Sequence, residues 1–326
     1  MYRTFRKKRV TAMTLINEKN YDQIMKTEVE PFLSEKGKVT SFTSFDGKKI
    51  SYEAYRNDNA KAVAIILHGF TESAEKMREV SYNFLGEGYS VYAPDLRDHG
   101  NSFRTSDNSG RVDTDDFGKY ADDLDCLIEK VIKTENEGKD IFVFAHSLGC
   151  TVALLYMIKH TDTVKKAVLS SPMICGNMGM PVAVAGTVAK VLTSLSGKKI
   201  PAPGRCKFNP DLPFAESDAT SEDRFSYYQE KRKANTLLQT NGPAFGWVKA
   251  SLDARDTILG NADKIKAELF VIKPEEDKQL LMSYTDKFIE KADAKSITIR
   301  NSKHEIFMSK NEALQKYYEM IFEFLG

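Results

Sequence analysis

The residue whose type and setting most readily do chemistry is Ser147, in the run Phe144-Ala145-His146-Ser147-Leu148-Gly149. A serine hydroxyl is a weak nucleophile at neutral pH; to attack a carbonyl it needs a general base in contact and donors waiting for the oxyanion. A sharp strand-to-helix turn meets both needs: it lifts the hydroxyl above a sheet, and small residues two before and two after it let helix and strand close up. Ala145 and Gly149 are those small residues, between an apolar stretch, Ile141–Ala145, and a helical one, Leu148–His160. A Ser-x-Gly tripeptide arises by chance about once or twice in a chain this long, and serine is also a favoured helix N-cap. The rest of the chain has to separate a nucleophile from a cap.

The candidate bases are His68, His99, His146, His160 and His304. In a sheet carrying a serine on such a turn, the triad follows the order serine, acid, histidine, which leaves His160 and His304. His160 ends the helix that follows Ser147 and reads as a helix-terminal cation. His304 follows the last strand-like segment in the loop Asn301-Ser302-Lys303, and is the expected base. The acid is expected after the preceding strand, in Lys273-Pro274-Glu275-Glu276-Asp277; Asp277 is chosen, with Glu276 as the alternative. Its task would be to hold the far nitrogen of His304 and so fix the tautomer. His68-Gly69-Phe70 follows the first buried strand, and the N–H groups of Phe70 and Leu148 are the expected oxyanion donors, with His68, Gly69, His146 and Gly149 in support.

The elements that must position these residues are legible as an alternation. Val39 to Arg56 reads as a hairpin around Asp46-Gly47. Strand and helix then alternate: Ala62–Leu67 and a helix through Leu85; Ser90–Ala93 and a helix from about Thr114 to Lys133; Ile141–Ala145 and Leu148–His160; Lys166–Ser170. After Pro172 the rhythm breaks, and resumes with a helix Phe245–Leu259, strand Glu268–Ile272, helix Leu281–Lys291, strand Ser296–Ile299 and helix Glu312–Leu325. The fold class is α/β, a mostly parallel doubly wound sheet with an inserted helical cap. The expected division is 1–38, a partly helical N-terminal extension; 39–171 and 243–326, the core; and 172–242, the cap.

Composition narrows little. Among 326 residues, 47 Lys and Arg nearly cancel 46 Asp and Glu, so no nucleic-acid partner is implied. Arg3, Arg6, Lys7, Lys8 and Arg9 read as a solvated tail. No apolar run approaches a membrane span. Cys126, Cys150, Cys175 and Cys206 lie far apart, without metal-site spacing, and read as free thiols in a reducing cytoplasm. The expected location is cytoplasmic, at most peripheral to a membrane; oligomeric state is not readable.

Six motifs, in order, then resemble one family: His68-Gly69-Phe70; Pro94-Asp95-Leu96-Arg97 with His99-Gly100-Asn101-Ser102; Ala145-His146-Ser147-Leu148-Gly149; Ser170-Ser171-Pro172-Met173; Asn241-Gly242-Pro243; and His304-Glu305. From about Thr40 to the C-terminus the chain resembles the lysophospholipase and monoacylglycerol lipase family, serine hydrolases of the α/β-hydrolase fold. Asp98 stands where that family commonly has glycine, and Cys150 replaces a usual small residue. The resemblance implies hydrolysis of a single-acyl-chain lipid ester through an acyl-serine, with no cofactor and no metal. The apolar residues Val182, Val184, Val188, Val191, Leu192 and Leu195 would guide an acyl chain or touch a membrane surface, or else pack on the core. Phe208, Phe214, Phe225, Tyr227 and Tyr228 would line the same cavity or support the cap from behind. The alternatives are an aminopeptidase of the proline iminopeptidase type, holding an amine through Glu216, Asp218, Glu222 or Asp223; a carboxylesterase for short soluble esters; and a noncatalytic binding protein on a hydrolase scaffold.

Overall fold

The computed structural model describes residues 15–106, 110–196, 200–202 and 208–326, so the basic cluster from Arg3 to Arg9 and Cys206 lie outside the described residues. The chain enters through α1 (Tyr21–Ile24) and α2 (Glu30–Lys36), joined by a π turn, and proceeds to the hairpin β1 (Gly37–Thr43) and β2 (Lys49–Tyr55). The hairpin turns at Asp46-Gly47, where Gly47 has φ +78°, a conformation glycine adopts without strain. β3 (Ala62–Leu67), α3 (Arg78–Gly86), β4 (Tyr89–Pro94), β5 (Arg111–Val112), α4 (Gly118–Leu127), α5 (Lys133–Glu135), β6 (Ile141–His146), α6 (Leu148–Lys159) and β7 (Val164–Ser170) follow. Then come α7 (Val182–Ser196), α8 (Glu222–Ala234), β8 (Gly242–Pro243), α9 (Phe245–Asn261), β9 (Glu268–Pro274), α10 (Met282–Lys291), β10 (Lys295–Ile299) and α11 (Asn311–Leu325).

Eight strands make one sheet in the order β1-β2-β4-β3-β6-β7-β9-β10, and the two-residue strands β5 and β8 pair separately. β2 is antiparallel to both its neighbours; from β4 onward the sheet is parallel. Side chains alternate between two cores, as strand geometry requires. Val63, Ile65 and Leu67 join the core under α4, α6 and α9. Ala62, Ala64 and Ile66 join the opposite core, under the N-terminal helices, α3 and α11. Parallel strands covered on both faces read as unbroken apolar runs, which is why β3 and β6 were visible in the sequence.

Two differences from the sequence reading have local causes. The helix expected from Thr114 begins at Gly118, because the Asp113 N–H and the Thr114 hydroxyl donate to Asp98 Oδ2 at 3.1 and 2.6 Å, and the Asp116 carboxylate accepts from Gly118 N–H at 2.8 Å. The same contacts explain Asp98, which sits at φ +66° and uses its carboxylate as a hub that a glycine would lack. The stretch expected to hold no strand ends in β8, whose two residues pair parallel with β5.

Candidate active site

The β6–α6 junction is an abrupt reversal. Ser147 has φ +49° and ψ −112°, and although it occupies the N-cap position of α6, its side chain caps nothing. Its backbone is held instead: its N–H donates to Ser170 O at 3.1 Å, and its carbonyl accepts from Met173 N–H at 3.2 Å. The turn needs glycine two residues on. A Cβ on Gly149 would stand 2.5 Å from Leu67 O and 2.8 Å from His68 O, both backbone atoms. Ala145, fully buried, leaves room for its own methyl.

Register then gathers the loops. Leu67 pairs with Ala145, His146 with Ser170, Ser170 with Ile272, and Pro274 with Ile299, so the segments leaving β3, β6, β7, β9 and β10 share one carboxyl edge. There His304 Nε2 lies 3.0 Å from Ser147 Oγ, and His304 Nδ1 lies 2.8 Å from Asp277 Oδ2. The other carboxylate oxygen of Asp277 accepts from the N–H groups of Gln279 and Leu280 at 2.8 and 3.0 Å, which fixes its plane. Glu276 is exposed, and the carboxylate bonded to the imidazole is that of Asp277. Burial works against a charged His304, but the hydrogen bond and charge of Asp277, with Asp218 and Glu305, outweigh it and raise the pKa. Ser171, with φ +47°, donates to the His304 carbonyl at 2.6 Å and so ties the histidine loop to the end of β7.

The loop after β3 is held by two side chains. His68 is fully buried, and burial pushes its pKa down to about 4, so the ring is neutral. Nε2 accepts from Leu96 N–H at 2.9 Å, which makes Nδ1, 2.8 Å from Gly69 O, the donor. Glu72 Oε2 accepts from Gly69 N–H at 2.6 Å, and Glu72 Oε1 meets Lys76 Nζ at 2.7 Å. Gly69 has little alternative, since a Cβ there would meet Glu72 Oε2 at 2.8 Å and the His146 ring at 2.9 Å. His146 is buried and, under burial and the neighbouring His304, is held well below its ordinary pKa. The N–H of Leu148, in the first turn of α6, has no acceptor within its own helix.

Ser147 opens into a cavity of about 570 Å³. Met173, Met178, Met180, Val188, Phe245 and Trp247 give its lining an apolar part, and Glu72, Asp218 and Glu305 line it too, with Asp218 and Glu305 close enough to act on His304. The lining locates several of the residues named from the sequence. Val188 lines the cavity, Val184 and Val191 face solvent, and the Leu195 side chain is outside the described residues. Of the four acids offered for an amine, only Asp218 lines the cavity. Phe208, Phe214, Phe225, Tyr227 and Tyr228 do not line it; Tyr227, for example, turns away to donate to Glu30 at 2.7 Å. His160 caps α6, stacked on Tyr156 at 4.6 Å. Sequence reasoning passed over Glu72, Lys76, Ser171 and Glu305, although Ser171 and Glu305 lay inside motifs it had marked.

This is a serine hydrolase with the α/β-hydrolase fold. A family model described as serine aminopeptidase, S33, matches residues 58–311, and the chain belongs to that family. It is 26% identical over 328 residues to a probable lysophospholipase L2 of Haemophilus influenzae, covering 96% of this chain and 99% of that one. It is 24% identical to a monoacylglycerol lipase of Mycolicibacterium smegmatis, covering 85% and 92%. Among solved structures, a soluble variant of monoglyceride lipase from Saccharomyces cerevisiae, in complex with a substrate analog, superposes with TM-score 0.70 at 17% identity, covering 89% and 94%.

Proposed function

We propose that the chain hydrolyses the carboxylic ester of a single-acyl-chain lipid, a lysophospholipid or a monoacylglycerol, through an acyl-Ser147 intermediate. The carrying observation is the Ser147–His304–Asp277 relay opening onto an apolar-walled cavity. Ser147 Oγ attacks the acyl carbonyl as its proton passes to His304 Nε2, and the oxyanion is held by the N–H groups of Phe70 and Leu148. His304 returns the proton to the departing alcohol and then takes one from the water that hydrolyses the acyl-serine. Asp277 keeps the imidazole in the required tautomer throughout. Residues 172–242 act as a cap whose Met178, Met180 and Val188 receive the acyl chain, and whose outward valines can rest transiently on a lipid surface.

The test is turnover of monoacylglycerols, lysophospholipids and short esters, with Ser147→Ala as the blank. Hydrolysis of long-chain lipid esters by the wild type alone supports the reading; turnover restricted to short soluble esters removes the lipid. Failure of a fluorophosphonate to label Ser147 removes the hydrolase mechanism itself. One observation favours a second reading: Asp218, an acid on the cavity lining beside His304, is placed to receive a free amine. Cleavage of aminoacyl amides in preference to acyl esters would select that aminopeptidase reading.

A further inference from the structure

Lys76 stands beside the site and touches two of the loops that build it. It belongs to the turn that follows the oxyanion loop, its side chain is 7% exposed, and it reaches Glu72 Oε1 at 2.7 Å and Glu305 Oε1 at 2.5 Å. Through Glu72 it is connected to the Gly69 N–H, one residue before Phe70. Through Glu305 it is connected to the residue that follows His304. The ammonium is further boxed in by Tyr228 and Phe307, whose ring centroids lie 5.2 and 5.5 Å away. Taking one ammonium and two carboxylates out of water is costly, and such a triad stabilises a fold poorly compared with apolar packing. What it supplies is geometry: the loop carrying Glu72 and the loop carrying Glu305, the latter 229 residues beyond Lys76 in sequence, are fixed to one cation.

We propose that Lys76 is a positioning residue that couples the oxyanion loop to the histidine loop and masks the charge of Glu305 beside His304. The proposal rests on the hydrolase reading above. The charged and titratable groups around His304 are Asp277 from the loop after β9, Asp218 from the cap, Glu305 on its own loop, and His146 from the elbow. Glu72 stands 3.8 Å from the far side of His146. Among the described residues, Lys76 is the cation ion-paired to both Glu72 and Glu305.

Removing the cation therefore has two effects. The two loops lose their common anchor, and a misplacement of about 1 Å can cost on the order of 100-fold in rate. Glu305 is also unmasked, which stabilises the protonated imidazole further and moves the acid limb of kcat/KM to higher pH.

The experiment measures kcat, KM and the pH profile on p-nitrophenyl butyrate for wild type, Lys76→Met, Lys76→Arg and Glu305→Gln, with fluorophosphonate labelling of each. Lys76→Met is expected to lower kcat about 10- to 100-fold with KM nearly unchanged, and to shift the acid limb upward. Lys76→Arg should recover part of the loss. Glu305→Gln should shift the limb the opposite way, because it deletes a charge that favours protonated His304; its partly exposed side chain (19%) makes it the decisive variant if Lys76→Met does not fold. A folded Lys76→Met with wild-type kcat and profile, or a Glu305→Gln whose limb does not move, overturns the proposal. An unlabelled wild type sinks the hydrolase reading and this one with it; a labelled, active wild type with unshifted variants sinks this one alone.

Discussion

At the scale of single residues, the site is a set of opposed influences on one imidazole. Burial alone would depress His304, yet Asp277, Asp218 and Glu305 together raise it. In the proposed mechanism the free base of His304 is the active form, so kcat/KM should fall on the acid side around a midpoint above the ordinary histidine value of about 6.5. Stability responds to the same titration with the other sign: a raised folded pKa contributes stability below the unfolded value, and this is lost as pH rises through the folded value. Asp277→Asn removes the strongest raising influence and leaves the tautomer unspecified. The plateau of kcat should drop about 10⁴-fold while the acid limb moves to lower pH. A pH series on a short chromogenic ester checks both, and an acid limb that stays in place would show that Asp277 does not set the His304 titration. His68 illustrates the opposite case. Its loop-shaping role was readable from its place after β3, and with a pKa near 4 it holds its turn as a neutral ring across the working pH range.

At the scale of elements, what the sequence disclosed and what it hid have separate physical reasons. Buried parallel strands are continuous apolar runs, so β3, β6 and β9 stood out, and with them the loops that follow. The serine, histidine and acid could be ordered because those loops share one edge. Pairings between loops distant in sequence, such as Lys76 with Glu305 or Ser171 with the His304 carbonyl, depend on side-chain directions that no periodicity encodes. The Asp277 and Glu276 alternatives differed for the same reason: neighbours in a loop point in different directions, and only Asp277 is aimed inward. Glycines make the contrast testable. Gly149→Ala forces a methyl against the Leu67 and His68 carbonyls, and should cost about 1–3 kcal/mol in denaturant titration, with slower labelling of Ser147. Gly86→Ala, at the end of α3, meets nothing within 4 Å and should stabilise by about 0.5–1 kcal/mol. Equal effects at the two sites would mean that the close approach of helix and strand at the elbow is not constraining.

At the scale of the whole molecule, the proposed function raises the question of how a lipid ester would reach Ser147 past residues 172–242. α7 divides its faces: Ala185 and Val188 turn to the cavity and Gly186 sits 3.4 Å from Leu252 of α9 at its would-be Cβ, whereas Val184 and Val191 leave 49% and 47% of their surface in water. No helix among the described residues is long and apolar enough to cross a membrane. Each half-exposed valine would gain about 1 kcal/mol on transfer to lipid at ~25 cal/mol per Å² of apolar area, and two together roughly tenfold or more in partitioning. Val184→Asp with Val191→Asp should then leave turnover of a soluble short ester within about twofold, while turnover of the same acyl ester presented in phosphatidylcholine vesicles falls about tenfold or more. The two substrates separate docking from chemistry, because both pass through Ser147 but only one must first be drawn from a bilayer. Equal loss on both would mean that the valines support the cap's packing rather than its approach to lipid; no loss on either would place lipid entry elsewhere on the rim.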